Sequence, residues 1–142
     1  MARFKTLLII PALLIVLAMT GCSDKQIRQA SIVLRDFGVG LEQVQEGFVR
    51  AYDAGYIDGE DYKLIQGVIY DIAAAGSEAV IAMQVAKSKP SAIVAIDKAL
   101  EATDRLLNEG VLRVKNDTMK QALSATILAL RTTLATAKAL LQ

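Results

Sequence analysis

The chain contains no histidine and no tryptophan, and a single cysteine, Cys22, among its 142 residues. Without histidine there is no Ser-His or Cys-His nucleophile pair, and the commonest zinc ligand is missing. One cysteine cannot form a disulfide within the chain, so packing alone must hold the fold. Charge is balanced, with 16 Lys and Arg against 15 Asp and Glu. Such a chain carries no strong basic field, which argues against nucleic acid as a partner. Aromatics make up only 5% of residues although 54% are hydrophobic. The core must therefore be assembled from Ala, Ile, Leu and Val, a composition suited to closely packed helices. There are only two prolines, Pro11 and Pro90. No phosphate-binding loop is present, and the acidic pairs Glu42/Glu46 and Asp97/Glu101 fall outside the apolar stripes, on solvated faces. These absences point to a protein without catalysis and without a metal or other bound cofactor.

What is present begins at the N-terminus. Arg3 and Lys5 precede an apolar run over residues 7–19, broken only by Pro11. That run falls short of the about 20 residues a membrane-spanning helix needs. It fits the about 7–15 residues of a signal-peptide h-region. Thr20 and Gly21 then stand directly before Cys22.

Met19-Thr20-Gly21-Cys22 resembles the lipobox of bacterial lipoproteins, with Met19 where that family usually has Leu. The resemblance covers residues 1–22 only. It implies a signal peptide over 1–21, cleavage between Gly21 and Cys22, and a diacylglycerol thioether with an added N-acyl chain on Cys22. Two or three acyl chains anchor stably where one is marginal. The implied location is the bacterial cell envelope, lipid-anchored and facing the periplasm. Ser23 follows the cysteine where Asp would favour the inner membrane, which leans towards the outer one. Setting aside Arg3 and Lys5 takes the net charge from +1 to about −1 for the mature chain.

Residues 22–142 read as one helical domain. In the first helix, expected over about 24–53, Ile27, Ala30, Leu34, Phe37, Leu41, Val44, Phe48 and Ala51 recur at alternating spacings of three and four. This is a heptad seam, and the rod would be roughly 45 Å long. The seam serves packing within the bundle or, alternatively, a homo-oligomeric coiled coil. Ala54-Gly55-Tyr56-Ile57 is a turn. Asp58 is the expected N-cap of a second helix over about 59–87, with Asp61 in a capping-box arrangement and Ile57 and Tyr62 as a hydrophobic staple. Ser88-Lys89-Pro90-Ser91 breaks the chain. A third helix over about 90–109 presents Ile93, Ile96, Leu100, Thr103 and Leu107, and Gly110 should stop it. Val111-Leu112-Arg113-Val114-Lys115 reads as extended. Asn116 or Asp117 then caps a fourth helix over about 118–141. The expected fold is all-α, an antiparallel four-helix bundle of up-down-up-down topology. The first two helices, being longer, should project beyond the others.

One candidate site emerges. All four tyrosines, Tyr52, Tyr56, Tyr62 and Tyr70, fall at or near the first turn, together with Asp58, Glu60 and Asp61. Tyrosine is enriched at interfaces, so Tyr52, Tyr56, Asp58, Glu60, Asp61 and Tyr62 form a candidate partner-binding turn, distal to the anchor. The spacing there argues against calcium. Asp53 and Asp61 are too close in sequence for first and last ligands about 11 positions apart, and Gly55 and Ile57 occupy inner ligand positions. The fourth helix carries Lys120, Arg131 and Lys138 and no acid after Asp117, a mildly basic bundle face. These features lead to a membrane-anchored periplasmic lipoprotein acting as a binding or scaffolding module. Its partners would be the bilayer, through acylated Cys22, and an envelope protein. A prophage-type immunity or inhibitor lipoprotein, acting against phage entry or a lytic enzyme, is the alternative.

Overall fold

The computed structural model describes residues 25–142. The expected signal peptide, its cleavage residues Gly21 and Cys22, and Asp24 lie outside the described residues. Four α-helices follow in order: α1 (Lys25–Asp53), α2 (Gly59–Gln84), α3 (Lys89–Arg105) and α4 (Asp117–Leu141). Between α3 and α4 stand a π-helical turn, Leu106–Gly110, and a 3₁₀ turn, Val111–Arg113. No strand occurs among the described residues. The protein is an all-α helical bundle.

Every residue of the α1 seam is buried, from Ile27 to Ala51. The seam is thus consumed within one chain. A second row beside it, Ser31, Gly38 and Gln45, is buried as well, widening the buried face beyond a strict coiled-coil stripe. α1 packs most closely on α4, and α2 on α3. The α1–α4 fit depends on small residues: a Cβ at Gly47 would stand 2.7 Å from Leu123 Cδ2, and one at Gly40 would stand 3.2 Å from Leu130 Cδ1. Rising numbers on α1 meet falling numbers on α4. The same opposition appears in the ion pairs Lys98–Glu78 (3.0 Å) and Arg105–Asp71 (3.1 Å) between α2 and α3. It recurs between α3 and α4 in Arg131–Asp104 and Lys138–Asp97, both 2.7 Å. Exposed pairs of this kind add little stability; their value is in register. The Asp104 hydrogen bond raises the Arg131 pKa further above its usual value, so this cation stays charged throughout the ordinary pH range.

Several expectations are corrected. The buried face of α3 is built on Ala92, Ala95, Ala99 and Ala102 with Ile96 and Thr103, while Ile93, Leu100 and Leu107 only flank it. α2 offers the matching small residues Ala75, Ala79 and Ala82. Alanine on both sides lets two helices close up, so the large side chains move to the edges of the contact. Next, Gly110 does not stop α3. Its φ is −66°, and a Cβ there would meet Leu106 Cδ1 at 2.9 Å. The chain passes Gly110 in a wide π turn and continues helically to Arg113, leaving Val114 as the extended residue. With that extension, the α1–α2 end does not project: the Lys115 N–H donates to the Tyr56 carbonyl at 2.8 Å. Finally, α2 ends at Gln84 rather than 87. Lys87 adopts φ 52°, at a cost of about 1 kcal/mol for a residue with a Cβ, and the Ser88 N–H reaches the Ala82 carbonyl at 2.9 Å.

By length and composition alone α2 is long and apolar enough to cross a membrane, and 44% of its most apolar window is buried inside the bundle. Its apolar face makes the core, and its Asp71 and Glu78 pair with α3.

Of the caps expected from the sequence, Asn116 forms, and Ser88 is a further one. Ser88 accepts from the Ser91 N–H at 3.3 Å, and Asn116 Oδ1 accepts from the Met119 N–H at 2.9 Å. Asn116→Ala removes that bond from a half-buried helix start. We expect a loss of about 1 kcal/mol, read as a lowered urea midpoint with an unchanged m-value.

Candidate functional site

The candidate turn is fixed by backbone first. Gly55 takes φ 77°, the left-handed conformation that closes helix C-termini. The Tyr56 N–H donates to the Ala51 carbonyl at 2.9 Å. Ile57 is buried beneath the turn. Asp58 occupies the N-cap position of α2 with extended backbone, but its side chain makes no capping bond. This corrects the capping-box expectation. The carboxylate instead meets the Lys115 ammonium at 2.9 Å. Asp61 likewise turns outward to Arg113, the least exposed of the ion pairs at this end of the bundle. Both carboxylates are thus turned to cations of the α3–α4 connection and away from the helix start.

The structure therefore brings together Tyr56, Asp58 and Asp61 of the turn with Arg113 and Lys115 of the α3–α4 connection. Tyr52 and Tyr62 stack with ring centroids 4.3 Å apart and planes 18° apart, joining the end of α1 to the first turn of α2. Glu60 is exposed. Tyr70 stands apart, exposed on α2, and does not belong to the turn. Leu112 lies at the same end, 71% exposed and directly before the two cations that pair with the acids. Arg113, Lys115 and Leu112 were not singled out by sequence reasoning. The available signal was two cations at alternate positions in a short linker, opposite an acidic turn at the same end of the bundle.

Chemically, this end offers a rigid mixed surface of phenol rings, paired charges and one bare leucine. Among the described residues, no three carboxylate or thiol groups converge in a way that would hold a metal ion. Shallow grooves run between neighbouring helices, one of them along Gly47, Arg50, Met119, Leu123 and Thr126 near this end. No family model, curated protein or solved structure matches the chain.

Proposed function

We propose that the chain is a lipid-anchored bacterial envelope lipoprotein, whose up-down-up-down helical bundle serves as a binding or scaffolding module for an envelope protein, without catalysis. The observation that carries the location is Met19-Thr20-Gly21-Cys22 directly after the apolar run at residues 7–19. Support for the topology comes from the opposed numbering of the contacts between α1 and α4, α2 and α3, and α3 and α4. The binding role is supported by the end remote from Lys25, where α1 begins. Tyr52, Tyr56, Asp58, Glu60, Asp61 and Tyr62 lie there, and Leu112 stays bare beside cations that neutralise two of the acids. An exposed leucine ringed by aromatic and charged groups is the make-up of an interface centre with a polar rim.

The test is a photo-activated crosslinker placed at Leu112 and, separately, at Thr132 on the exposed face of α4, in the full chain in intact cells. A discrete adduct with one envelope protein from Leu112 and none from Thr132 is the expected result. Asp58→Ala with Tyr56→Ala should abolish it. Equal, diffuse labelling from both positions would dismiss this end as the binding surface.

A further inference from the structure

The seam between α2 and α3 carries its charges in one sense along its whole length. Four ion pairs cross from α2 and its N-cap to α3 and the segment after it: Asp58–Lys115 at 2.9 Å, Asp61–Arg113, Asp71–Arg105 at 3.1 Å and Glu78–Lys98 at 3.0 Å. In each the acid is on the α2 side and the base on the α3 side. The Asp71 and Glu78 pairs are about half exposed on both partners. Each of these bonds uses one carboxylate oxygen, Oδ2 of Asp71 and Oε2 of Glu78, so each carboxylate has a second oxygen to offer a further donor. Glu101, between Lys98 and Arg105, is an acid of α3 on this side. Asp97 and Asp104 are turned to α4.

A groove follows the same seam. Its floor is alanine, Ala75 and Ala82 from α2 with Ala95 and Ala102 from α3, and Glu78 and Lys98 line it in both halves. Large apolar side chains stand bare beside it: Ile81 is 49% exposed, Val85 74% and Val94 58%. They fall at one level. Seven residues along α2 from Asp71 to Glu78 match seven back along α3 from Arg105 to Lys98, so Val94 lies opposite the stretch from Ile81 to Val85. Neither lysine of the α2–α3 connection, Lys87 or Lys89, lines the groove, and Lys89 reaches across to Gln26 of α1.

We propose that two copies of this chain pair through the α2–α3 face, about a two-fold axis running along the bundle. That axis sets α2 of each copy against α3 of the other at the same height. Asp71 and Glu78 then face Arg105 and Lys98 of the other copy, and Val94 enters the other copy's groove beside Ile81 and Val85. The contact is isologous, with an apolar centre between charged rows. Charge selects both the occupant and its orientation. A two-fold axis across the bundle would set α2 against α2 and acid against acid, which costs affinity. Only the axis along the bundle turns every acidic row onto a basic one. The proposal does not rest on the anchored reading, but agrees with it: both chains begin at the same end of the pair, as two chains held side by side in one bilayer must.

The experiment places a photo-activated crosslinker at Val94 of the full chain, expressed in the same cells under two different epitope tags, with Thr132 of α4 as the control position. The expected result is an adduct of twice the chain's mass bearing both tags from Val94, and none from Thr132. Reversing the acids, Asp71→Lys with Glu78→Lys, makes both rows of a chain basic. Reversing the bases, Lys98→Glu with Arg105→Glu, makes both rows acidic. Either variant alone should lose the adduct by roughly tenfold or more, because like charges then face each other across the contact. Co-expressing the two variants should restore it, since acidic rows again meet basic ones. Reversing all four in one chain should restore it as well. The proposal is overturned by the absence of a doubled adduct from Val94, by an adduct that survives both reversals, or by a loss that neither restoration recovers. A discrete adduct of Val94 with a different protein also overturns it and assigns the face to that protein. A doubled adduct from Val94 and an envelope-protein adduct from Leu112 are separate species, so pairing and the binding role of the far end can fail independently.

Discussion

Phe37→Ala should cost about 3–5 kcal/mol, the range for removing a fully buried phenyl ring. Total stability for a domain is about 5–15 kcal/mol, so this one change removes a large share of it. The melting temperature should fall by roughly 10–20 °C for a chain of this size. Phe37 sits at 0% exposure in the middle of the α1 seam. Its ring edge fills the space over Gly76 of α2: a Cβ at Gly76 would lie 2.6 Å from Phe37 Cε1 and 3.4 Å from Cζ. The two positions are therefore coupled. Glycine to alanine within a helix ordinarily gains about 1 kcal/mol. Here the sign inverts, because a buried ring has nowhere to move, and overpacking costs about 1–3 kcal/mol. Gly76→Ala should thus lower the melting temperature in the wild-type background and lose most of that effect when combined with Phe37→Leu. Circular dichroism melts of the four proteins give the coupling, expected at about 1–3 kcal/mol. If Gly76→Ala raises the melting temperature of the wild type, the α1–α2 contact is wrong.

The second large effect concerns Cys22. Exported through a secretory leader in place of residues 1–21, the mature chain with Cys22→Ala should move from the membrane pellet to the soluble periplasmic fraction almost completely. Each buried methylene contributes about 0.8 kcal/mol to anchoring, and two acyl chains hold a protein firmly where one does not. Membrane association of Cys22→Ala that survives both salt and alkaline extraction would mean that lipid on Cys22 is not the anchor.

Much of the fold was legible because it is written in local or periodic signals. The seam from Ile27 to Ala51 repeats every heptad, and all of it is buried. Asn116 caps α4 as its position suggested, and Pro90 stands in the first turn of α3. What escaped the sequence depends on partners distant in the chain. Gly110 reads as a helix stop until Leu106 and Ile65 are packed against it, and only then is a π turn the better path. The α3 stripe reads as Ile93 and Leu100 because those are the large apolar residues. The face that is buried follows the alanines, since α2 presents small residues opposite. At the candidate turn the residues themselves were found, yet their pairing was not. Asp58 was expected to cap α2, and it engages Lys115 from a segment 57 positions later in the chain.

The most direct measurement of the central claim is the intact mass of the full-length gene product purified from bacterial membranes. A lipoprotein loses residues 1–21 and gains a diacylglycerol thioether with a further acyl chain on Cys22, and that mass is the result expected here. A mass corresponding to retained residues 1–21, or to a mature chain with a free Cys22 thiol, would contradict it.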